Sequence, residues 1–389
     1  MAGPARHTRL TIGRMPAMDD TPVFAPETCR QYLAPFQDGL SGFFRLHLRF
    51  ADTRLAVCAD APALIEALAA YHRDFVDDGP ADLEVNLVSA EADDLAWPFD
   101  QAPGRGNTAK ERWIDLPDGR IVRKTRTGLH LVFGPAGNFV LGPVARHGDQ
   151  VVNAVNCRFM EREIAAGAQL LHAAAVSDGK RGLAIAGLAG AGKSTLALEL
   201  TRRGAYFVSN DRLLAAPGPH GPIMTGVPRV PRVNPGTILA NDSLARLVPP
   251  DERLALSRLP EETLRTLERK VDVPIGRCFG PGRFRLRAAL AALVVLAWKP
   301  GGGPARPTWT RLDLRTELVD TVAKELGPLV AMGPRPVSRR DSLALLGTVP
   351  VLLFEGGLDF PLAADWCHDI LTRFPASGDK PGPDPRPMP

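Results

Sequence analysis

The chain has 389 residues, with 47 Lys plus Arg against 43 Asp plus Glu. A hydrophobic share of 45% and a charged share of 23% exclude wholesale disorder and place it among soluble globular proteins. The net charge of +4 is too small over this length to point to nucleic acid. Only 8 of the basic residues are Lys, so any well-placed Lys is conspicuous among the Arg. The five Cys stand far apart without a CxxC pair, which fits a reducing compartment and neither a disulfide framework nor a zinc site. No apolar run reaches the roughly 20 residues of a membrane helix, and the first residues lack a signal-peptide core. A cytoplasmic protein without membrane partners is expected.

In chain order, Pro and Gly mark an arm over 1–26 and a tail over 375–389, both expected to be disordered. Between them the reading is a smaller α+β domain over 27–147 and a larger α/β domain over 148–374. Apolar alternation from Phe43 to Val57 predicts two strands around Ala51-Asp52-Thr53. Ala61 to Phe75 has a helical apolar face, with Asp60 placed to cap it. Leu83 to Val88, Gly119 to Lys124 and Gly128 to Phe133 read as strands. Arg120, Arg123, Lys124 and Arg126 suggest a basic strand surface for an acidic partner, against the plainer reading of a solvated strand. Val151 to Leu170 reads as one long helix.

His72-Arg73-Asp74 spells the catalytic-loop triplet of eukaryotic-type protein kinases. The Asn required five residues later is Gly79, and Asp359-Phe360 is followed by Pro361 rather than Gly. The triplet is therefore read as a helix surface.

The strongest pattern is Gly187-Leu188-Ala189-Gly190-Ala191-Gly192-Lys193-Ser194, a complete GxxxxGK[ST], followed by Thr195. It lies between the apolar strand Gly182 to Ala186 and the helix Ser194 to Arg203. Such glycines let backbone N–H groups converge on phosphate oxygens, and the helix start adds partial positive charge. Lys193 is placed for the β- and γ-phosphates of ATP and the Ser194 hydroxyl for Mg²⁺. After Gly204 a strand Ala205 to Ser209 ends in Asn210-Asp211, where a carboxylate would hold Mg²⁺. His172, on a strand folded back through Ser177-Asp178-Gly179-Lys180, would lie beside the loop. No NKxD motif for guanine and no LSGGQ-like run is present, which argues against a GTPase switch and an ABC-type ATPase.

The run His172 to Asp211 resembles HPr kinase/phosphorylase, a bacterial P-loop protein-serine kinase, and within it the HPr-kinase-related kinase B subgroup. Leu-His-Ala-Ala after a helix bearing Asn153 and Asn156, the interval from Lys193 to Asp211, and the Gly226 to Thr237 stretch carry the likeness. The resemblance implies an α/β P-loop kinase fold of the HPr kinase and phosphoenolpyruvate carboxykinase type, using ATP and Mg²⁺ in phosphorelay chemistry. It implies His172, Lys193, Asn210 and Asp211 as catalytic positions, with Ser194 and Asp211 on the metal. Arg283 or Arg229 would neutralise charge. The general-base Asp of that family corresponds to Asn210 here, and no match to its Glu-Ile-Arg-Gly signature stands nearby. A kinase without phosphorylase activity follows, acting on a hydroxyl of a protein serine, a peptide or a small molecule. Since the resembled family forms oligomers, a homo-oligomer is also implied. Two other readings remain beside it: a small-molecule kinase or carboxykinase-like enzyme, and a low-turnover ATP-binding regulator.

Overall fold

The computed structural model describes residues 26–373 other than 38, 92–109, 268, 300 and 331–337. The disorder expected of the N-terminal arm, save its last residue, and of the C-terminal tail falls outside the described residues. The protein is a mixed α/β structure with several sheets. Its chain divides into two compact units. One takes Met1–His47, Leu55–Ala70 and Gly79–Val155, and the other takes Leu48–Arg54, Tyr71–Asp78 and Asn156–Pro389. No helix among the described residues is long and apolar enough to cross a membrane.

The first sheet comprises β1 (Phe44–Phe50), β2 (Thr53–Ala59), β3 (Leu83–Ser89), β4 (Glu111–Leu116), β5 (Gly119–Lys124), β6 (His130–Phe133) and β7 (Phe139–Gly142). Its order is β1-β2-β3-β7-β6-β5-β4, with β2, β3 and β7 mutually parallel and β7 to β4 an antiparallel run. Leu46, Leu48 and Phe50 alternate inward along β1, the period-two burial that makes this segment a strand. The chain reverses after it through Ala51, held at φ 54°.

Two expectations fail here for local reasons. Asp60 does not cap helix α2 (Pro62–Tyr71). Its carboxylate accepts instead from the Ser89 backbone N–H (2.7 Å) and hydroxyl (2.8 Å), tying the ends of β2 and β3. The reading of a basic strand surface fails in part as well, since two of its four cations are neutralised within the sheet. Asp115 stands directly opposite Arg120 and Glu111 opposite Lys124, so these two cations are paired across the β4–β5 ladder, whereas Arg123 stands opposite Arg112. Arg120 is buried and forks onto Asp115 at 2.5 and 2.7 Å, and the Lys124 ammonium meets Glu111.

Helix α3 (Gly148–Ala165) stops five residues short of the expected end, because Gly167 turns left-handed at φ 101° and the chain leaves as a strand. The second sheet then begins: β8 (Gln169–Leu171), β9 (Ala173–Ser177), β10 (Arg181–Gly187), β11 (Tyr206–Ser209), β12 (Leu213–Ala216) and β13 (Ile223–Gly226). A short ladder, β14 (Arg232–Val233) with β15 (Val271–Asp272), stands apart from it. The long β16 (Arg287–Leu296), β17 (Arg306–Arg311) and β18 (Pro350–Glu355) complete the sheet. Its main order is β11-β9-β10-β16-β13-β12-β8, and β18 adds to β16 in parallel with β17 outside it. Because β8 and β9 are one run of chain interrupted only at His172, the two ends of that order meet and the sheet curls back on itself. Its core is aliphatic, built around Leu171, Ala184, Val208, Leu293, Val295 and Leu353.

An aromatic chain fastens the early segments of this unit. Phe50 contacts Phe159 (5.5 Å between centroids) and Phe75 (5.8 Å), Phe75 contacts Phe284 (5.0 Å), and Phe284 contacts Phe207 on β11 (5.1 Å). Each edge-on pair adds about 0.5–1.5 kcal/mol beyond the buried area. His72 belongs to this cluster, 5.3 Å from Phe50, and is only 1% exposed. The His-Arg-Asp triplet is thus not a helix surface: α2 ends at Tyr71, and a 3₁₀ turn over Arg73–Phe75 drives the imidazole inward.

Burial pushes the His72 pKa down to about 3, and its Nε2 has no hydrogen-bond partner. Between about pH 6.5 and 3 the unfolded chain binds a proton that the folded one refuses, so stability falls as pH falls through that window. His72→Phe should flatten the decline in denaturant-unfolding free energy between pH 6.5 and 4. An unaltered slope in the variant would remove His72 as a cause.

Candidate active site

Three parallel strands, β10, β16 and β18, end along one rim of the second sheet. In parallel α/β sheets ligands gather outside the carboxyl ends of strands. Here the residues after each strand meet. The loop 187–194 follows β10, Trp298 follows β16, and Phe360 opens the C-terminal helix Phe360–Arg373 after β18.

The sequence of the loop forces its shape. A Cβ on Gly187 would stand 2.9 Å from the Leu296 carbonyl oxygen, so only glycine lets β10 leave the sheet that close to β16. Gly192 takes φ 90° directly over Phe360, where a Cβ would come within 2.3 Å of the ring. The indole N–H of Trp298 donates to the Ala191 carbonyl at 3.0 Å, and its ring meets Phe360 edge-on at 4.9 Å. The loop therefore rests on an aromatic floor. Asp359 caps the helix beneath through the Leu362 N–H (3.0 Å), which accounts for the Asp-Phe pair flagged in the sequence. Gly190 also takes positive φ, and Leu188 is 75% exposed beside Ala189 at the crest.

Helix α4 (Lys193–Arg202) starts at the loop with no side-chain cap, leaving its first N–H groups and their partial positive charge facing outward. Lys193 is 8% exposed, and its ammonium donates to the carbonyls of Gly187 (2.8 Å) and Leu188 (3.1 Å). Ser194 follows it in the first turn. Thr195 shares a 2.8 Å hydrogen bond with Thr237 on α5 (Pro235–Leu239), which anchors the helix start sideways.

Register brings the other residues to the same rim. Ala186 pairs with Ala173 at the end of the ladder, and Gly187 and His172 are the residues that adjoin this last rung. On the opposite edge, Ser209 pairs with Ala175 and Leu213 with Leu171, which puts Asn210 and Asp211 alongside Ala174 and Ala173. His172, Lys193 of the loop and Asp211 lie within electrostatic reach of one another. Asp211 makes no ion pair or side-chain hydrogen bond among the described residues. The Asn210 Oδ1 is buried without a partner.

A fourth group was missed. The edge of β8 that β10 leaves open is taken by residues 322–324: the His172 N–H donates to Val322 O (2.7 Å), Leu171 bridges Ala323, and the Lys324 N–H donates to Leu170 O (3.0 Å). Lys324 is half-buried there. His172 has its pKa lowered by burial and then by the charges of Lys193 and Lys324, with Asp211 opposing. The imidazole is thus held neutral at pH 7, able to accept a proton. Burial lowers Lys193 and Lys324 as well, and Asp211 works against it in both.

Other expected residues lie elsewhere. Arg283 donates to Gly204 O (2.7 Å) and lies 5.6 Å from the Tyr206 ring, at the start of β11. Tyr206 pairs with Ser177, five residues along the strand from His172 and so roughly 16 Å away by strand rise. Arg283 therefore does not neutralise charge at the loop. Arg232 pairs with Asp272 at 3.0 Å, and Arg229 lies within electrostatic reach of Tyr71. Asn156 donates to Pro228 O (3.3 Å), a brace for the 226–237 stretch, and Asn153 lies one turn earlier on α3. Asn234 precedes α5 with its Oδ1 buried and unpartnered.

No protein-family model matches the chain, and no curated protein does. Among solved structures, the Hpr(Ser) kinase/phosphatase of Coxiella burnetii is similar at 14% identity and a TM-score of 0.27, over 51% of this chain and 87% of that one. The functional reading rests on the chemistry of the rim itself.

Gly192→Ala should lower folding stability by about 1–3 kcal/mol, from a left-handed backbone and the collision with Phe360. Thermal and denaturant unfolding would measure it. A variant as stable as the parent would show that the aromatic floor is not packed against the loop.

Proposed function

We propose that the protein is an ATP-dependent phosphotransferase that moves the γ-phosphoryl group to a hydroxyl, in the manner of an HPr-kinase-like P-loop kinase. One observation carries this reading: a complete GxxxxGK[ST] loop lies at a strand's carboxyl end, with Lys193, His172 and Asp211 within electrostatic reach of one another. On this reading residues 148–374 form the kinase domain and 27–147 a preceding α+β domain.

Within this reading Lys193 and the N–H groups of Gly187 to Thr195 hold the phosphates. The donor set suits Mg²⁺: a free carboxylate, Asp211, and a hydroxyl, Ser194, hard oxygens that leave room for phosphate and water. Among the described residues no cluster of three or more His, Cys, Asp or Glu could hold a metal ion. When bound, Mg²⁺ offsets charge on the phosphate oxygens. The acceptor hydroxyl oxygen forms the new bond to the γ-phosphorus as the bond to the β–γ bridging oxygen breaks. ADP leaves with that electron pair, and the hydroxyl proton passes to the neutral His172.

Asn210 cannot serve as a base, which favours a second reading of slow turnover or ATP-dependent regulation. A base contributes typically about 10²–10⁴-fold, so its loss slows transfer without removing the electrostatic part. The acceptor class is a protein serine, a peptide or a metabolite hydroxyl.

Incubation with γ-labelled ATP, Mg²⁺ and candidate acceptors should give label transfer that Lys193→Ala and Asp211→Asn reduce by at least about a hundredfold. Labelling equal to the parent in both variants would sink the assignment. Asn210→Asp separates the two readings: accelerated transfer marks a slow kinase, whereas tight ATP binding with no transfer in either form marks a regulator.

A further inference from the structure

Lys324 is outside the motif and far downstream of it, yet it reaches the same rim. The backbone of 322–324 continues the edge that β10 occupies along β9, so Val322 and Gly187 meet on either side of His172. The loop approaches His172 from the β9 side and Lys324 from the β8 side. Its ammonium forms no ion pair and no side-chain hydrogen bond among the described residues. Asp211 is equally unpaired. Two ammonium groups share a single carboxylate, Asp211, which leaves the rim with an excess of positive charge, and a half-buried cation so incompletely neutralised is costly unless an anion completes it.

We infer that Lys324 is a second phosphate-binding ammonium, contacting an oxygen of the transferring phosphoryl group from the β8 side while Lys193 holds it from the loop. The inference rests on the phosphotransferase reading for the identity of that group, but it requires only that the rim bind a phosphate oxyanion. It fills the charge-neutralising role for which Arg283 is misplaced. Charge-assisted contacts of this kind are the strong ones at phosphate sites.

Calorimetric titration of the full chain with inorganic pyrophosphate, without Mg²⁺, tests it. The parent should bind, Lys324→Ala should weaken binding at least about tenfold, and Lys324→Arg should recover most of it. Lys324→Met, with the pyrophosphate-induced rise in melting temperature as readout, replaces Lys324→Ala should that variant fail to fold. Parent-like binding by these variants would overturn the inference. So would an effect of Lys324→Ala that disappears in the Asp211→Asn background, because Lys324 would then serve only as counter-charge to Asp211. Either failure leaves the phosphotransferase reading standing as long as Lys193→Ala abolishes nucleotide binding. A parent that binds neither pyrophosphate nor ATP would end both.

Discussion

The site depends on a single run of chain, Gln169 to Ser177, that pairs on both edges and changes partners at His172. On one edge β9 holds β10 and β8 holds residues 322–324. On the other, β9 holds β11 and β8 holds β12. Each partner must therefore end, begin or turn at the level of His172, and these turns carry Lys193, Asp211 and Lys324. Hydrogen-bond register, rather than side-chain attraction, collects the charges. That matters physically, because the charges would not gather by themselves: two ammonium groups repel, and burial disfavours both. The aliphatic core of Leu171, Ala184, Leu293 and their neighbours offsets this cost by apolar burial.

The aromatic floor adds stiffness at the point where the loop leaves the sheet. Trp298 and Phe360 come from strands on the far side of β10, and they meet the loop only because β10, β16 and β18 run parallel and end together. A loop of three glycines has high conformational entropy, and an unsupported one would lose more freedom on binding phosphate. The indole hydrogen bond to Ala191 and the ring beneath Gly192 remove part of that freedom in advance.

Much of this was legible in the sequence. Strand, loop and helix around Lys193 follow from local pattern, and the hairpin through Asp178-Gly179 with the constant spacing from His172 to Asp211 located the rim. What escaped was non-local. Nothing around Lys324 marks it, since its role comes from a three-residue pairing with β8 that no periodicity records. Its rarity among so many Arg was the one available signal. Arg283 misled because the Pro281-Gly282-Arg283 likeness that singled it out says nothing about which strand end it occupies. Arg120 and Lys124 looked like a basic surface because their partners, Asp115 and Glu111, are cross-strand neighbours rather than helical ones. The burial of His72 was hidden by a helix that ends at Tyr71, four residues before Phe75, where its apolar pattern predicts the end.

Asn210 and Lys324 make sense together on the proposed reading. Replacing a carboxylate by an amide beside Asp211 removes one negative charge from the rim, while Lys324 supplies one positive charge to it. Phosphoryl transfer passes through a loose transition state in most analyses, with charge spread over the equatorial oxygens, so cations contribute more than a base does. A rim that gives up its base and keeps two ammonium groups has shifted its chemistry from deprotonation toward charge neutralisation. The neutral His172 then needs only to receive the proton late, when the hydroxyl has already become acidic by bonding to phosphorus. Such a site favours anionic ligands and slow, electrostatically driven transfer, which joins the kinase and regulator readings through the same two residues.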